Sequence, residues 1–212
     1  MKIAQPLFIG AFLLTTAFSQ AGTDDVKDLR QPLVTSVERF AKGTVDIQVL
    51  AGAQFSPITG KRDTFNYAPG IVRVGYQFTD PGEDHPLRGN WEALLDLYGA
   101  GIFAGPGNFL IGPTALIRYN FVQPGWCVVP YLQGGCGLLF NDAYEDKSQK
   151  LIGSVVEFSP QVSAGARYLI NDKWSLDAEV MFHHISNANT ANRNVGVNAL
   201  GGQVGFSYTL GR

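Results

Sequence analysis

Two of the chain's three histidines stand side by side near the C-terminus, in the stretch VMFHHISNANTANRNVGVNALGGQVGFSY from Val180 to Tyr208. A serine follows two residues after the second, and five asparagines fall between residues 187 and 198. On a strand, residues two apart point to the same face. His184 and Ser186 would then be neighbours, a base beside the hydroxyl it can activate for nucleophilic attack. Asn198 shares the parity of Leu200, Gly202, Val204, Phe206 and Tyr208. If the two runs pair as a hairpin, Asn198 returns to the side of His184. The plainer reading of the same residues is a polar, solvated strand end ahead of a loop.

Residues placed this way need rigid strands beneath them, and the chain alternates polar and apolar residues from Thr44 onward with the period of two that marks a strand. Val45, Ile47, Val49, Ala51, Ala53 and Phe55 share one face, while Asp46, Gln48, Gly52 and Gln54 share the other. The pattern repeats over about 65–78, 89–100, 109–121, 128–140, 155–170, 174–187 and 197–210. With about 44–55, these make eight expected strands, an even number. Turn chemistry at 79–88, 123–126 and 171–173 alternates with longer loops near 56–63, 101–107, 141–152 and 188–196.

The polar face carries Asp46, Arg73, Glu92, Asp96, Arg118, Glu157, Arg167, Asp177 and Glu179, with Lys nearly absent from the strands. A soluble surface usually carries many Lys, whereas a small barrel can fill its interior with compensating Arg and carboxylate groups. The fold expected is therefore all-β, an eight-stranded antiparallel transmembrane barrel of outer-membrane type, its apolar band written one residue in two. A lipocalin-like soluble barrel, with apolar side chains pointing inward, is the alternative. Tyr119, Trp126, Tyr168, Trp174 and Tyr208 lie near strand ends, where interfacial girdles form.

The chain opens with Lys2, an apolar run from Pro6 to Phe18 and Ser19-Gln20-Ala21, the signature of a secretory signal peptide over 1–21. Residues 22–43 are read as a periplasmic lead-in, unstructured or forming a short helix at the barrel mouth, and 44–212 as the barrel. The formal net charge of -2 argues against nucleic acid as a partner. If 128–140 is one strand, Cys136 on it and Cys127 at its start are too far apart for a disulfide at about 3.3 Å per residue, so both are expected as free thiols. No Walker loop, zinc spacing or EF-hand loop occurs, and neither a metal nor a cofactor is expected. Parity sends His183 into the lumen in a structural role. His85 falls in a turn, and Arg193 sits in a loop where it could meet a lipid phosphate.

His184-Ile185-Ser186-Asn187-Ala188, followed by Asn194-Val195-Gly196 and a last apolar strand, resembles the lipid A 3-O-deacylase family, the PagL-like acyloxyacyl hydrolases. These are eight-stranded outer-membrane barrels with a Ser-His-Glu triad on the lipid-facing wall. The resemblance implies Ser186 as nucleophile, His184 as general base and Asn187 and Asn194 as oxyanion-hole candidates. It also implies lipid A or lipopolysaccharide as substrate, outer-membrane lipids as surroundings, and a site facing the outer leaflet of a bacterial outer membrane. Where the family places its triad glutamate, this chain has Asn198. Two functions follow: a carboxylic ester hydrolase acting on the 3-O-linked acyl chain of lipid A, or a barrel that keeps the scaffold without the chemistry, in a structural or lipid-binding role. A homodimer is compatible with either function.

Overall fold

The computed structural model describes residues 36–56, 58 and 63–211. The expected signal peptide and most of the expected lead-in lie outside them. A short helix, α1 (Ser36–Arg39), precedes eight strands. They are β1 (Val45–Phe55), β2 (Asn66–Gln77), β3 (Asn90–Ala104), β4 (Phe109–Asn120), β5 (Val128–Asn141), β6 (Val156–Leu169), β7 (Trp174–Ile185) and β8 (Val197–Gly211). Each strand pairs antiparallel with the next, and β1 closes on β8 to complete the barrel. Closure leaves no unpaired edge, which a strand surrounded by hydrocarbon could not tolerate.

The two faces are the inverse of those of a soluble barrel. Outward-pointing Val49, Leu95, Leu97, Val162, Val180 and Val204 are each more than half exposed. Asp46, Arg73, Glu92, Asp96, Arg118, Glu157, Arg167 and Asp177 are no more than 1% exposed and point into the lumen. This distribution identifies a transmembrane barrel and excludes the lipocalin-like alternative. Burying charge is costly unless it is paired, and here Arg73 grips Asp96 at 2.7 and 2.9 Å. Arg167 lies between Asp46 at 2.9 Å and Asp177 at 3.0 Å, and Arg118 approaches Glu92 at 3.5 Å. Cys127 and Cys136 are both free and exposed, as their spacing requires.

Both mouths are plugged. At the end where the chain enters β1, Phe40 just after α1 packs with Val122, Val129 and Leu169. Arg39 donates there to Asn171 O, Lys173 O, Trp174 O, Thr209 Oγ1 and Ser175 Oγ. At the opposite end Ala143, Leu151 and Ile152, from the β5–β6 loop, fold into a cluster with Leu50, Ile71, Met181, Ile185 and Val197. The lumen is therefore apolar at this end, where Leu50, Ile71, Met181 and Ile185 take inward positions. Strand β3 also continues to Ala104. The connection expected at 101–107 therefore shrinks to residues 105–108, where Gly105 and Gly107 adopt positive φ.

Candidate functional site on the outer wall

Strands β7 and β8 form a hairpin whose register pairs His184 with Asn198 and Phe182 with Leu200. Beyond Ile185, Ser186 exchanges both backbone hydrogen bonds with Phe158 of β6, N–H to O at 3.0 and 2.8 Å. This isolated bridge carries the extended conformation one residue past the strand and keeps Ser186 on the face of His184. The result is a hydrogen-bonded chain, with Ser186 Oγ 3.0 Å from His184 Nε2 and His184 Nδ1 2.6 Å from Asn198 Oδ1. Because Asn198 presents its oxygen, Nδ1 is the protonated nitrogen. Nε2 is left bare to accept from the serine hydroxyl, the tautomer a general base needs.

All three side chains are half-buried, on the outer wall at the loop end of the barrel, with exposed Phe158, Phe182 and Leu200 around them. Gly196 makes room for the imidazole. Its φ is +73°, and a Cβ there would lie 3.3 Å from His184 Cε1 and 3.2 Å from Ile185 O. A side chain at 196 would be strained by the backbone and would crowd the histidine.

The two asparagines expected to serve an oxyanion are engaged in shaping the loop. Asn187 is 1% exposed. Its backbone N–H donates to Asn194 Oδ1 at 3.0 Å and its Nδ2 to Arg193 O at 2.9 Å. Asn194 Nδ2 donates to Asn189 Oδ1 at 2.9 Å, in an exposed contact that a ligand could replace. Between them Thr190 N–H reaches Asn187 O at 3.0 Å, closing a turn whose central residues, Ala188 and Asn189, have φ of +52° and +64°. A non-glycine pair in this region is uncommon and accumulates at functional sites.

His183, of opposite parity, is 1% exposed in the lumen, where its Nδ1 meets Tyr67 OH at 2.8 Å. His85 stays in its turn, accepting from Leu87 N–H at 3.1 Å. Arg193 lies in the loop between β7 and β8, as its sequence position suggests. Its guanidinium donates to Tyr144 O and Asp146 O, both at 2.6 Å, and to Gln149 O at 3.1 Å, clamping the β7–β8 loop to the β5–β6 loop. Sequence reasoning missed this clamp, because backbone carbonyls carry no signature in a sequence.

A family model described as lipid A 3-O-deacylase (PagL) matches residues 70–207, more than half of the chain and all five candidate residues. Comparison with curated proteins gives no match. Among solved structures the chain is similar to the outer membrane enzyme PagL, with a TM-score of 0.55 at 17% identity, covering 76% of this chain and 97% of that one. It is also similar to the outer membrane protein OprG from Pseudomonas aeruginosa, with a TM-score of 0.51 at 15% identity, covering 81% of this chain and 98% of that one. Neisserial surface protein A gives a TM-score of 0.52 at 17% identity, covering 79% and 96%. At these identities the structural likenesses speak for the barrel fold alone.

Proposed function

The chain belongs to the lipid A 3-O-deacylase (PagL) family, and on that premise we propose that it is an outer-membrane esterase that hydrolyses the 3-O-linked acyl chain of lipid A. The observation that carries the reading is the continuous hydrogen-bonded chain Ser186–His184–Asn198 on the outer wall. In this reading the substrate lies beside the barrel in the outer leaflet and brings its ester to the loop end. No cofactor is needed.

Ser186 Oγ attacks the ester carbonyl while His184 Nε2 takes the hydroxyl proton. The carbonyl oxygen becomes an oxyanion, served by Asn194 Nδ2 after it leaves Asn189, and by backbone N–H groups of the exposed turn at Ala188 and Asn189. Asn187 acts from behind, by holding Asn194 and the turn in place. Collapse breaks the bond to the sugar oxygen, which takes the proton back from His184 and leaves as the free 3-hydroxyl. Water, deprotonated by His184, then attacks the acyl-serine, releasing the fatty acid and restoring Ser186. Asn198 keeps His184 in the productive tautomer but supplies no charge against the imidazolium, so the rate is expected to be low for a serine triad.

That same amide favours a second reading, a family barrel that keeps the scaffold without turnover. Expression in a lipopolysaccharide-making host, followed by mass spectrometry of lipid A, separates the two. The esterase reading predicts loss of one acyl chain with the wild type and intact lipid A with Ser186→Ala. Intact lipid A in both, from folded barrels, would support the scaffold reading instead.

A further inference from the structure

The turn after Ser186 lies beyond the β7–β8 ladder, whose last pair is Ile185 with Val197. Its first residue, Asn187, gives its backbone N–H to a side chain, Asn194 Oδ1 at 3.0 Å, and its Nδ2 to Arg193 O at 2.9 Å. Thr190 closes the turn on Asn187 O, with its N–H at 3.0 Å and its Oγ1 at 2.7 Å. The place of the turn therefore depends on how residues 193 and 194 are held.

Arg193 holds them through its side chain. Nη1 donates to Asp146 O at 2.6 Å and Gln149 O at 3.1 Å, and Nη2 donates to Tyr144 O at 2.6 Å. These carbonyls belong to a platform that is itself fixed. Tyr144 sits in the single 3-10 turn Ala143–Glu145. The Asp146 carboxylate accepts from Ser148 N–H at 2.9 Å and Ser148 Oγ at 2.6 Å. Gln149 Nε2 donates to Ala143 O at 3.0 Å and Ile152 O at 2.7 Å, while its Oε1 accepts from Ile152 N–H at 3.0 Å. Ala143, Leu151 and Ile152 are buried in the luminal plug. A path of hydrogen bonds thus runs from the plug through Arg193 to the turn beside the nucleophile.

The joint is also packed tightly along its backbone. Val195 N–H meets Lys150 O and Gly196 N–H meets Leu151 O, each at 3.0 Å. A Cβ at Gly153 would lie 2.1 Å from Arg193 O, the carbonyl to which Asn187 Nδ2 donates. A guanidinium serves the three acceptors with a planar fork of N–H donors, whereas a lysine ammonium offers one nitrogen and a point charge.

We infer that Arg193 is a positioning residue for the proposed hydrolysis: it pins the 193–194 backbone to the β5–β6 loop, and through Asn187 and Asn194 it sets the turn that presents the oxyanion donors beside Ser186. The catalytic half of the inference rests on the esterase reading. The mechanical half rests on the hydrogen bonds alone.

Three variants test it, on barrels whose folding in micelles is checked by heat-modifiable gel mobility. Arg193→Ala removes the fork, Arg193→Lys keeps the charge without the fork, and Gly153→Ala keeps Arg193 while pressing on its carbonyl. Each should raise amide hydrogen exchange over 187–196 and lower kcat on 3-O-acylated lipid A roughly ten- to hundredfold with KM nearly unchanged, since misplaced donors cost rate rather than substrate binding. If Arg193→Ala does not fold, the other two variants carry the same comparison.

A raised KM with wild-type kcat in Arg193→Ala, restored by Arg193→Lys, would make Arg193 a contact for the substrate's phosphate and overturn the inference. Wild-type exchange over 187–196 in the folded Arg193 variants would overturn it as well. A wild type without ester turnover would defeat the esterase reading and the catalytic half together, while exchange in the same variants would still decide the mechanical half.

Discussion

Asn198 brings an amide oxygen to 2.6 Å from His184 Nδ1, at the position where a carboxylate would complete a serine triad. The oxygen sets the tautomer as a carboxylate would, and what is lost is the negative charge facing the imidazolium. Replacing a triad acid by its amide costs about 10⁴-fold in kcat. Asn198→Glu should therefore raise deacylation of lipid A, by as much as that factor if the new carboxylate reaches His184, as measured by initial rates of fatty-acid release. An unchanged rate would mean that the third residue does not limit the site. The pairing of His184, Ser186 and Asn198 was legible because a strand's period of two and a hairpin's register fix which side chains meet. The donors used by Asn187 and Asn194 were not, since residues 187–196 follow no period and spend their side chains on one another.

The loops at the site end work as one element. Asp142 links the β3–β4 connection to the β5–β6 loop, accepting from Asn108 N–H and Nδ2, both at 2.7 Å, and from Phe109 N–H at 3.2 Å. Partial desolvation pushes its carboxyl pKa up, but these hydrogen bonds together outweigh it and hold the group below its ordinary range. A carboxyl group with a depressed folded pKa contributes stability above its unfolded pKa, near 3.8, and loses it as pH falls through the folded value. Protection of the Asn108 and Phe109 amides should therefore fall as the medium is acidified below about pH 4, with a midpoint under the ordinary carboxyl value, and the step should vanish in Asp142→Asn. A midpoint above that value would contradict the assignment. Alternation located the strands nearly to the residue. It could not show that β3 continues to Ala104, because the small and apolar residues from Gly99 to Ala104 carry little polar contrast.

Across the whole molecule, chemistry is sorted by surface and by end. The lumen holds ion pairs in its middle and apolar plugs at both mouths, and the outer wall is apolar. Trp91, Tyr119, Trp174 and Tyr208 gather at the α1 end, paired edge to face with ring centroids 4.9 Å apart. Exposed Phe55, Phe103, Phe109, Phe140, Phe158 and Phe182 ring the loop end. Arg167→Met should remove the guanidinium paired with both Asp46 and Asp177 and destabilise the barrel by about 3–5 kcal/mol, read as a lowered urea midpoint of the heat-modifiable band. The barrel class was legible in the sequence because Arg and carboxylates on the polar face, with almost no Lys, describe an interior. The apolar end of the lumen was hidden, because inward Leu50, Ile71, Met181 and Ile185 break the alternation that revealed the rest.

The proposed esterase requires that this outer wall carry a working serine nucleophile activated by His184. The most direct measurement is intact and peptide mass spectrometry of the folded barrel after incubation with a long-chain alkyl fluorophosphonate, a reagent that bonds to activated serines. One adduct is expected on Ser186, absent from Ser186→Ala, strongly slowed in His184→Ala and accelerated in Asn198→Glu. A folded wild-type barrel that remains unlabelled, or an adduct at the same rate without His184, would contradict it.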